Sequence, residues 1–129
     1  MSISKSKPVR DVLLAFARVH ILHHASEERI FGVGMMEELG RHGYHLGPGT
    51  LYPLLQRLQT EGLLAMQTEV VDGKMRKYYT ATGRGRTALQ AIRPKLAELA
   101  EEVLPDGTTP AAGHGKRRAR PGRCPGARA

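Results

Sequence analysis

The sequence predicts a mainly α-helical fold with a small β-hairpin and one further helix after it. Three observations carry this prediction. Four leucines recur at i, i+3, i+4 and i+7, the spacing of a helix with one buried face: Leu51, Leu54, Leu55 and Leu58. The pair Asp72-Gly73 separates two strand-like runs, which is a strong hairpin signal. Apolar residues then recur at spacings of three and four from Leu89 to Val103.

The first two helices are predicted from apolar spacing. Residues 8–25 read as a helix with Asp11 near its start and apolar positions at Val12, Leu13, Phe16, Val19 and Leu22. Ser26 to Ile30 reads as a polar connector. A second helix over 32–41 would bury Val33, Met36 and Leu39 and turn Glu37, Glu38 and Arg41 toward water. Gly43 is a plausible stop for this helix.

The third helix has two possible starts, because it contains Pro53. Proline removes the backbone hydrogen bond to the carbonyl four residues earlier, that of Gly49. Either the helix begins near Thr50, with Pro53 in its permissive first turn, or it begins at Pro48 and bends. We favour the early start. The leucine stripe then faces the core, and the remaining positions face solvent or a ligand: Thr50, Tyr52, Pro53, Gln56, Arg57 and Thr60.

Two strands and a fourth helix follow Gly62. Residues 63–70 and 75–81 are predicted strands, and alternation along the second strand places Tyr78 and Tyr79 on opposite faces, so at least one is expected in the core. Thr82 is a candidate cap for the last helix, which Pro94 is expected to bend. Its apolar seam can join a second chain or pack on the chain's own body, and it comprises Leu89, Ile92, Leu96, Leu99 and Val103.

The order helix, helix, helix, strand, strand, helix is that of a winged helix-turn-helix, in which the third helix enters the major groove of DNA and the hairpin, or wing, contacts the backbone. Gln56 can pair with adenine, and Arg57 with guanine or phosphate. The helix N-terminus is itself a phosphate site. The wing cations suit a phosphate-lined groove. The candidate DNA-contacting residues are Gly49, Thr50, Tyr52, Pro53, Gln56, Arg57, Lys74, Arg76 and Lys77.

Several motifs together resemble the PadR-type transcriptional regulators. They are the stretch Gly49-Thr50-Leu51-Tyr52-Pro53-Leu54-Leu55-Gln56-Arg57-Leu58, then Glu61-Gly62-Leu63, Arg76-Lys77-Tyr78-Tyr79 and Thr82-x-x-Gly85-Arg86. The resemblance spans residues 12–104. It implies a cytoplasmic homodimer, joined through residues 85–104, that represses nearby genes until an effector releases it. It also implies that Thr50, Tyr52, Gln56, Arg57 and the wing cations face double-stranded DNA.

Composition agrees with a nucleic-acid partner. The chain of 129 residues has a formal net charge of +8, and residues 105–129 hold six of its twenty Lys and Arg. We expect four regions: a flexible N-terminus (1–7), a winged helix-turn-helix domain (8–82), a dimerisation helix (83–104) and a disordered basic tail (105–129). The single cysteine, Cys124, permits no intramolecular disulfide and suits the cytoplasm. No stretch reaches the roughly 18 apolar residues of a membrane span.

Histidines offer the remaining site chemistry. His20 and His24 are one helical turn apart and could chelate a metal, but sequence spacing offers no carboxylate or thiolate to complete the ligand set, so no metal and no cofactor is expected. An enzyme is not expected either, because phosphate-binding loops and activated nucleophiles are missing from the sequence. Two alternatives stay open: an architectural or RNA-binding protein held by the basic tail, and a protein-interaction module that uses the last helix.

Overall fold

The structure is a computed structural model that describes residues 6–105. Its elements follow the order α1 (Lys7–Glu27), β1 (Ile30–Phe31), α2 (Gly32–Arg41), α3 (Pro48–Thr60), β2 (Leu64–Val71), β3 (Lys74–Ala81) and α4 (Gly83–Val103). The predicted mainly helical class with a β-hairpin is therefore confirmed. The basic tail beyond residue 105, with Cys124, and the first five residues of the predicted flexible N-terminus lie outside the described part of the chain.

A third strand corrects the prediction of a polar connector over Ser26 to Ile30. Ile30 and Phe31 form β1, which pairs antiparallel with β3 so that Ile30 lies opposite Tyr79 and Phe31 opposite Tyr78. The sheet order is β1-β3-β2. A strand of two residues has no periodicity to detect, and its existence depends on the exposed edge of β3, more than 40 residues later in the chain. Backbone hydrogen bonds between β1 and β3 thus connect the wing to the segment between α1 and α2.

Of the apolar positions named from the sequence on α1 and α2, Leu22 and Leu39 are buried, but several others are not. Helix α1 contributes Ala17, Ile21, Leu22 and Ala25 to the core, whereas Val12 and Phe16 are exposed. Helix α2 buries Gly32, Met35 and Leu39, and Val33 is 52% exposed. Gly32 and Met35 are each one residue before a predicted position, Val33 and Met36, which is a step of about 100° around the helix, whereas Leu39 is buried as predicted. Gly43 follows α2 with a φ of +89°, as the predicted stop requires.

Helix α3 begins at Pro48, which confirms the early start, and Pro53 lies inside it. The Gly47 carbonyl accepts the first hydrogen bonds of the helix, from the N–H of Thr50 at 3.0 Å and of Leu51 at 2.9 Å. Leu51, Leu55 and Leu58 are fully buried. At the far end Gly62, with a φ of +83°, turns the chain into β2. Because these leucines are buried, the opposite face of α3 is exposed to solvent.

The hairpin and the start of α4 are formed as predicted. Asp72 and Gly73 have φ values of +54° and +78°, the positive values that a two-residue type I′ turn requires. The hydroxyl of Thr82 accepts a hydrogen bond from the Gly85 N–H at 3.0 Å, which confirms the helix cap, and donates one to the Gly62 carbonyl at 2.6 Å. Thr82 therefore connects the end of α3 to the start of α4.

Two compact units make up the chain, one ending at Thr87 and the other beginning at Ala88, inside α4. The first unit contains the sheet, α1 to α3 and the first residues of α4. In the second unit α4 continues through Pro94 as far as Val103. Leu89 is buried, whereas Leu96, Leu99 and Val103 are 39%, 48% and 64% exposed.

Candidate nucleic-acid interface

The exposed face of α3 carries the polar residues that the sequence analysis selected. Gly49, Pro53 and Gln56 follow one another at helical spacing along the middle of this face, and all three are exposed. Arg57 is exposed on one side of the row, and Thr50 is partly exposed on that side too. An amide and a guanidinium thus project from a helix whose N-terminal half is uncovered, as insertion into a groove requires.

Tyr52 lies on the other side of this row and is held by α2. A Cβ atom built on Gly32, the first residue of α2, would lie 2.4 Å from the Tyr52 hydroxyl oxygen, so the ring packs directly on the glycine backbone. Burial, with a smaller effect of the nearby Tyr52, raises the pKa of Tyr79. The side chain of Tyr52 is nevertheless 40% exposed. It therefore presents a positioned hydroxyl and ring edge at the surface.

A groove of about 640 Å³ runs between this tyrosine and the wing. One wall comes from Tyr52 and from the start of α2, and the other comes from the hairpin, including the turn residue Asp72. All three candidate wing cations, Lys74, Arg76 and Lys77, line it. The fold thus brings Tyr52 together with the wing cations in one open groove, whereas Gln56 and Arg57 lie further along α3, outside its lining.

The wing cations are not equivalent. Lys74 and Lys77 are exposed, but Arg76 is half-buried. The Arg76 guanidinium carbon lies 4.3 Å from the centre of the Phe31 ring, and Nη1 donates to the Tyr78 hydroxyl at 3.4 Å. Cation–π contact of this kind orients the side chain. Arg76 is therefore a charge held in place near the wing turn, whereas Lys74 and Lys77 are exposed cations.

Arg29, which no sequence motif singled out, contacts the wing on the same face of the sheet as Arg76. Its guanidinium lies 3.9 Å from the centre of the Tyr78 ring and donates to Glu69 of β2 at 2.7 and 3.3 Å. The hydrogen bond from Arg29 holds the pKa of the Glu69 carboxyl below its usual range. Sequence offered no signal for this contact, because Arg29 and Glu69 are 40 residues apart. Arg29 and Arg76 thus contact two rings, Tyr78 and Phe31, that themselves meet edge to face.

Helix α3 is anchored to its neighbours at its C-terminal end. Arg18 of α1 forms an ion pair with Glu61 at 2.6 Å, directly after the last residue of α3. Arg86, at the start of α4, donates to the Ser26 carbonyl at 2.8 Å near the end of α1. Toward the N-terminal end of α3, Tyr52 rests on α2, and Gly49, Pro53 and Gln56 are exposed.

Two exposed apolar rows lie outside this surface, one in each compact unit. Leu96, Leu99 and Val103 form a row along α4, and of the other two predicted interface residues Ile92 is half-buried and Leu89 is buried. On α1, Val9, Val12 and Phe16 are 48%, 51% and 38% exposed at i, i+3 and i+7. Val12 and Phe16 belong to the apolar spacing from which α1 was predicted, and both are exposed.

The two histidines weighed from sequence, His20 and His24, meet a third one in the fold. Ligand nitrogens of His20, His24 and His42 all lie within 4.8 Å of one another. His42 caps the end of α2, 18 residues beyond His24 in the sequence. The spacing of the histidines along the sequence does not indicate that His42 lies beside His20 and His24.

The protein has three packed helices followed by a β-hairpin, and a groove lined by cations lies between α3 and the hairpin. This arrangement defines a winged helix-turn-helix protein. Comparison with known proteins specifies the family. Residues 21–91 match the transcriptional regulator PadR-like family, and the chain belongs to that family. It is accordingly a transcriptional regulator with a winged-helix fold, and the resemblance found in the sequence motifs is confirmed.

Individual relatives agree with this assignment. The chain is 49% identical over 107 residues to "Transcriptional regulator Rv3488" of Mycobacterium tuberculosis, covering 83% of this chain and 99% of the relative. A crystal structure of a PadR family regulator from Eggerthella lenta is 29% identical, with a TM-score of 0.63 over 74% of this chain and 88% of the other. A PadR-like regulator from Bacillus cereus is 28% identical, with a TM-score of 0.66 over 72% and 92%.

Among the described residues, none of the helices combines the length and the apolar character that crossing a membrane demands.

Proposed function

We propose that this regulator acts as a cytoplasmic homodimeric repressor that binds an inverted-repeat operator, with α3 in the major groove and the wing on the adjacent backbone. Gln56 and Arg57 read base edges, and Lys74 and Lys77 contact phosphates. Gly49, Thr50 and Pro53 bring the start of α3 close to the backbone, where the Gly49 amide and the Thr50 hydroxyl bind phosphate. An effector that the family resemblance implies would release the complex.

The observation that carries this proposal is the position of Tyr52, which lies between the exposed face of α3 and the groove beside the wing. Tyr52 shares the exposed half of α3 with Gln56, one helical turn away, and it also lines the groove with Lys74 and Lys77. A duplex that contacts Gln56 with its base edges would therefore place a flanking phosphate strand near the groove. Tyr52 thus belongs both to the exposed face of α3 and to the groove beside the wing, which supports the binding of one ligand by the two elements together.

Dimerisation is supported by the exposed apolar rows. A row of exposed leucine and valine on α4 and a second row on α1 each leave apolar surface in contact with water, which a second copy of the chain would cover. Two recognition helices related by a twofold axis read half-sites about one helical turn, roughly 10 bp, apart. Homodimerisation thus accounts for the apolar surface and sets the symmetry of the operator.

Competition binding tests the proposal. The full chain is titrated against a duplex from upstream of its own gene and against a random duplex of equal length, while salt is raised from low to physiological concentration. Phosphate contacts weaken for both duplexes, but base contacts keep the operator bound. We expect a preference that grows with salt. Equal loss from both duplexes would contradict sequence-specific regulation.

The basic tail supports a second candidate function, that of a non-regulatory nucleic-acid binder. Residues 105–129 carry six cations against a single acidic residue, Asp106. A chain ending at Leu104 separates the two functions, because tail charge acts on all sequences alike. If the protein is a regulator, truncation weakens binding to every duplex by a similar factor and leaves the preference for the operator unchanged. If truncation abolishes binding and Gln56→Ala changes nothing, the non-regulatory function is correct.

A further inference from the structure

A cluster of three imidazoles and one carboxylate lies where the end of α2 meets α1, and the regulator function proposed above makes no use of it. His20 and His24 are one turn apart on α1, and His42 follows the last residue of α2. The His20 and His42 rings stack with centroids 4.7 Å apart and an interplanar angle of 23°. All three side chains offer a ligand nitrogen within 4.8 Å of the other two.

Glu38 supplies a carboxylate to the same cluster. Its Oε2 lies 3.2 Å from Nε2 of His42 and 3.6 Å from Nε2 of His24. Its other oxygen, Oε1, accepts a hydrogen bond from Arg41. Arg41 thus anchors one oxygen, and the second is directed at two histidines. Nitrogen and oxygen ligands about 2.0–2.2 Å from a zinc ion lie roughly 3.3–3.5 Å apart at tetrahedral angles, which is close to both measured separations.

We propose that His20, His24, His42 and Glu38 form a binding site for a divalent transition metal ion of the zinc type. Three imidazole nitrogens and a carboxylate oxygen are a ligand set that suits zinc, cobalt and nickel and disfavours calcium and magnesium, which take oxygen ligands. His20, whose ring stacks on that of His42, reaches the ion by rotating out of this stack, because an imidazole binds a metal ion in the plane of its ring. The site joins α1 to the turn that precedes α3.

The surroundings of the cluster shift the pKa of two of its groups. Burial, followed by the neighbouring His42, His24 and His23, lowers the pKa of His20. Burial alone would raise the pKa of Glu38, but the hydrogen bond to His42 and the charges of His24, Arg41 and His42 hold it below its usual range.

Solvent reaches the site from one side. His24 and Glu38 line a small open cavity of about 150 Å³ that also borders Arg29 and Met35. His42 is itself exposed. An ion can enter without unfolding either helix. Because His20 and His24 come from α1 while Glu38 and His42 come from α2 and its end, bound metal would cross-link the two helices and stabilise the fold by mass action.

Calorimetric titration of the full chain, free of any affinity tag, with Zn²⁺ tests the site. We expect one ion per chain and a higher melting temperature in its presence. His42→Ala, at an exposed position that should leave folding intact, weakens binding by more than about 100-fold, and Glu38→Gln weakens it by about 10–100-fold. With Co²⁺ in place of zinc, the wild-type chain shows the visible absorption bands of a tetrahedral ion, and His42→Ala loses them.

His23→Ala and His45→Ala are the matched controls, because neither histidine belongs to the ligand set, and the ring of His23 lies 5.1 Å from that of His24. Both should keep the wild-type affinity. All variants retain His114 and Cys124, so any binding by the tail is common to every titration. The proposal is overturned by the absence of stoichiometric binding to the wild-type chain. It is equally overturned if His23→Ala reduces affinity as much as His42→Ala does, with circular dichroism showing all variants folded.

Discussion

The ring of Tyr52 packs on the backbone of Gly32, so closely that a Cβ atom at residue 32 would lie 2.4 Å from the tyrosine hydroxyl oxygen. This contact joins the first residue of α2 to the exposed half of α3. It fixes the direction in which Tyr52 projects, and with it one wall of the groove that the wing cations line. The position of a surface residue proposed to contact DNA therefore depends on the missing side chain of a buried glycine.

Gly32→Ala should displace Tyr52 and destabilise the fold. The added methyl group overlaps the phenol ring, and overpacking of this kind costs about 1–3 kcal/mol. We expect a lower urea midpoint and weaker operator binding. Gly40→Ala is the matched control, because the nearest atom to its added Cβ would be 3.7 Å away and alanine favours the helix by about 1 kcal/mol. Equal stability of the two variants would show that Tyr52 moves freely.

Gln56→Ala should change sequence preference more than affinity for random DNA. Loss of a bidentate contact to a base costs about 1–3 kcal/mol of discrimination at one base pair of each half-site. Selection of bound sequences with purified protein measures the change. Gln59→Ala, an identical substitution one turn later on α3, controls for helix stability. Lys74→Ala provides the contrast, since loss of a phosphate contact weakens all sequences alike and reduces the salt slope by about 1.

Leu96→Asp combined with Leu99→Asp should convert a dimer to a monomer. Pairing would bury these side chains, which are exposed in the single chain, and an unpaired carboxylate in an apolar interface is strongly unfavourable. Sedimentation at micromolar concentration measures the state, and loss of bivalent binding should weaken operator affinity by about 10²–10⁴-fold. Ala97→Asp, on a different side of α4, should sediment as the wild type does. A wild-type chain that is already monomeric contradicts the prediction.

Glu69→Gln should destabilise the wing at neutral pH and have no effect in acid. The hydrogen bond from Arg29 makes the pKa of Glu69 lower in the folded chain than the usual 4.5. The pair therefore stabilises the fold above that value and loses its contribution as pH falls through the lower folded value. Because the pair is exposed, we expect a small difference in urea midpoint at pH 7 that shrinks as pH falls below 4.5 and disappears below the folded pKa of Glu69. Glu102→Gln should match the wild type at both pH values.

Local patterns in the sequence were sufficient to predict most of the elements. The leucine stripe defined α3 and its exposed face, Asp72-Gly73 defined the wing turn, and Thr82 defined the start of α4. Each of these signals lies within a few residues of the structure that it specifies, because helix periodicity, turn conformation and capping are local interactions. The candidate DNA-contacting residues of α3 followed from the same periodicity, because the positions that alternate with the core-facing leucines must face solvent.

Contacts between distant residues were decided by the tertiary structure alone. The two-residue strand β1 exists because β3 offers it an edge, and Arg76 is half-buried because Phe31 lies beneath it. Met35 is buried in place of the predicted Met36 because the packing of α2 on its neighbours selects the rotation of the helix. His42 and Glu38 join His20 and His24 only where α2 ends against α1. Such contacts leave no periodic trace along the chain, since their partners are set by how the elements pack and not by the residues beside them.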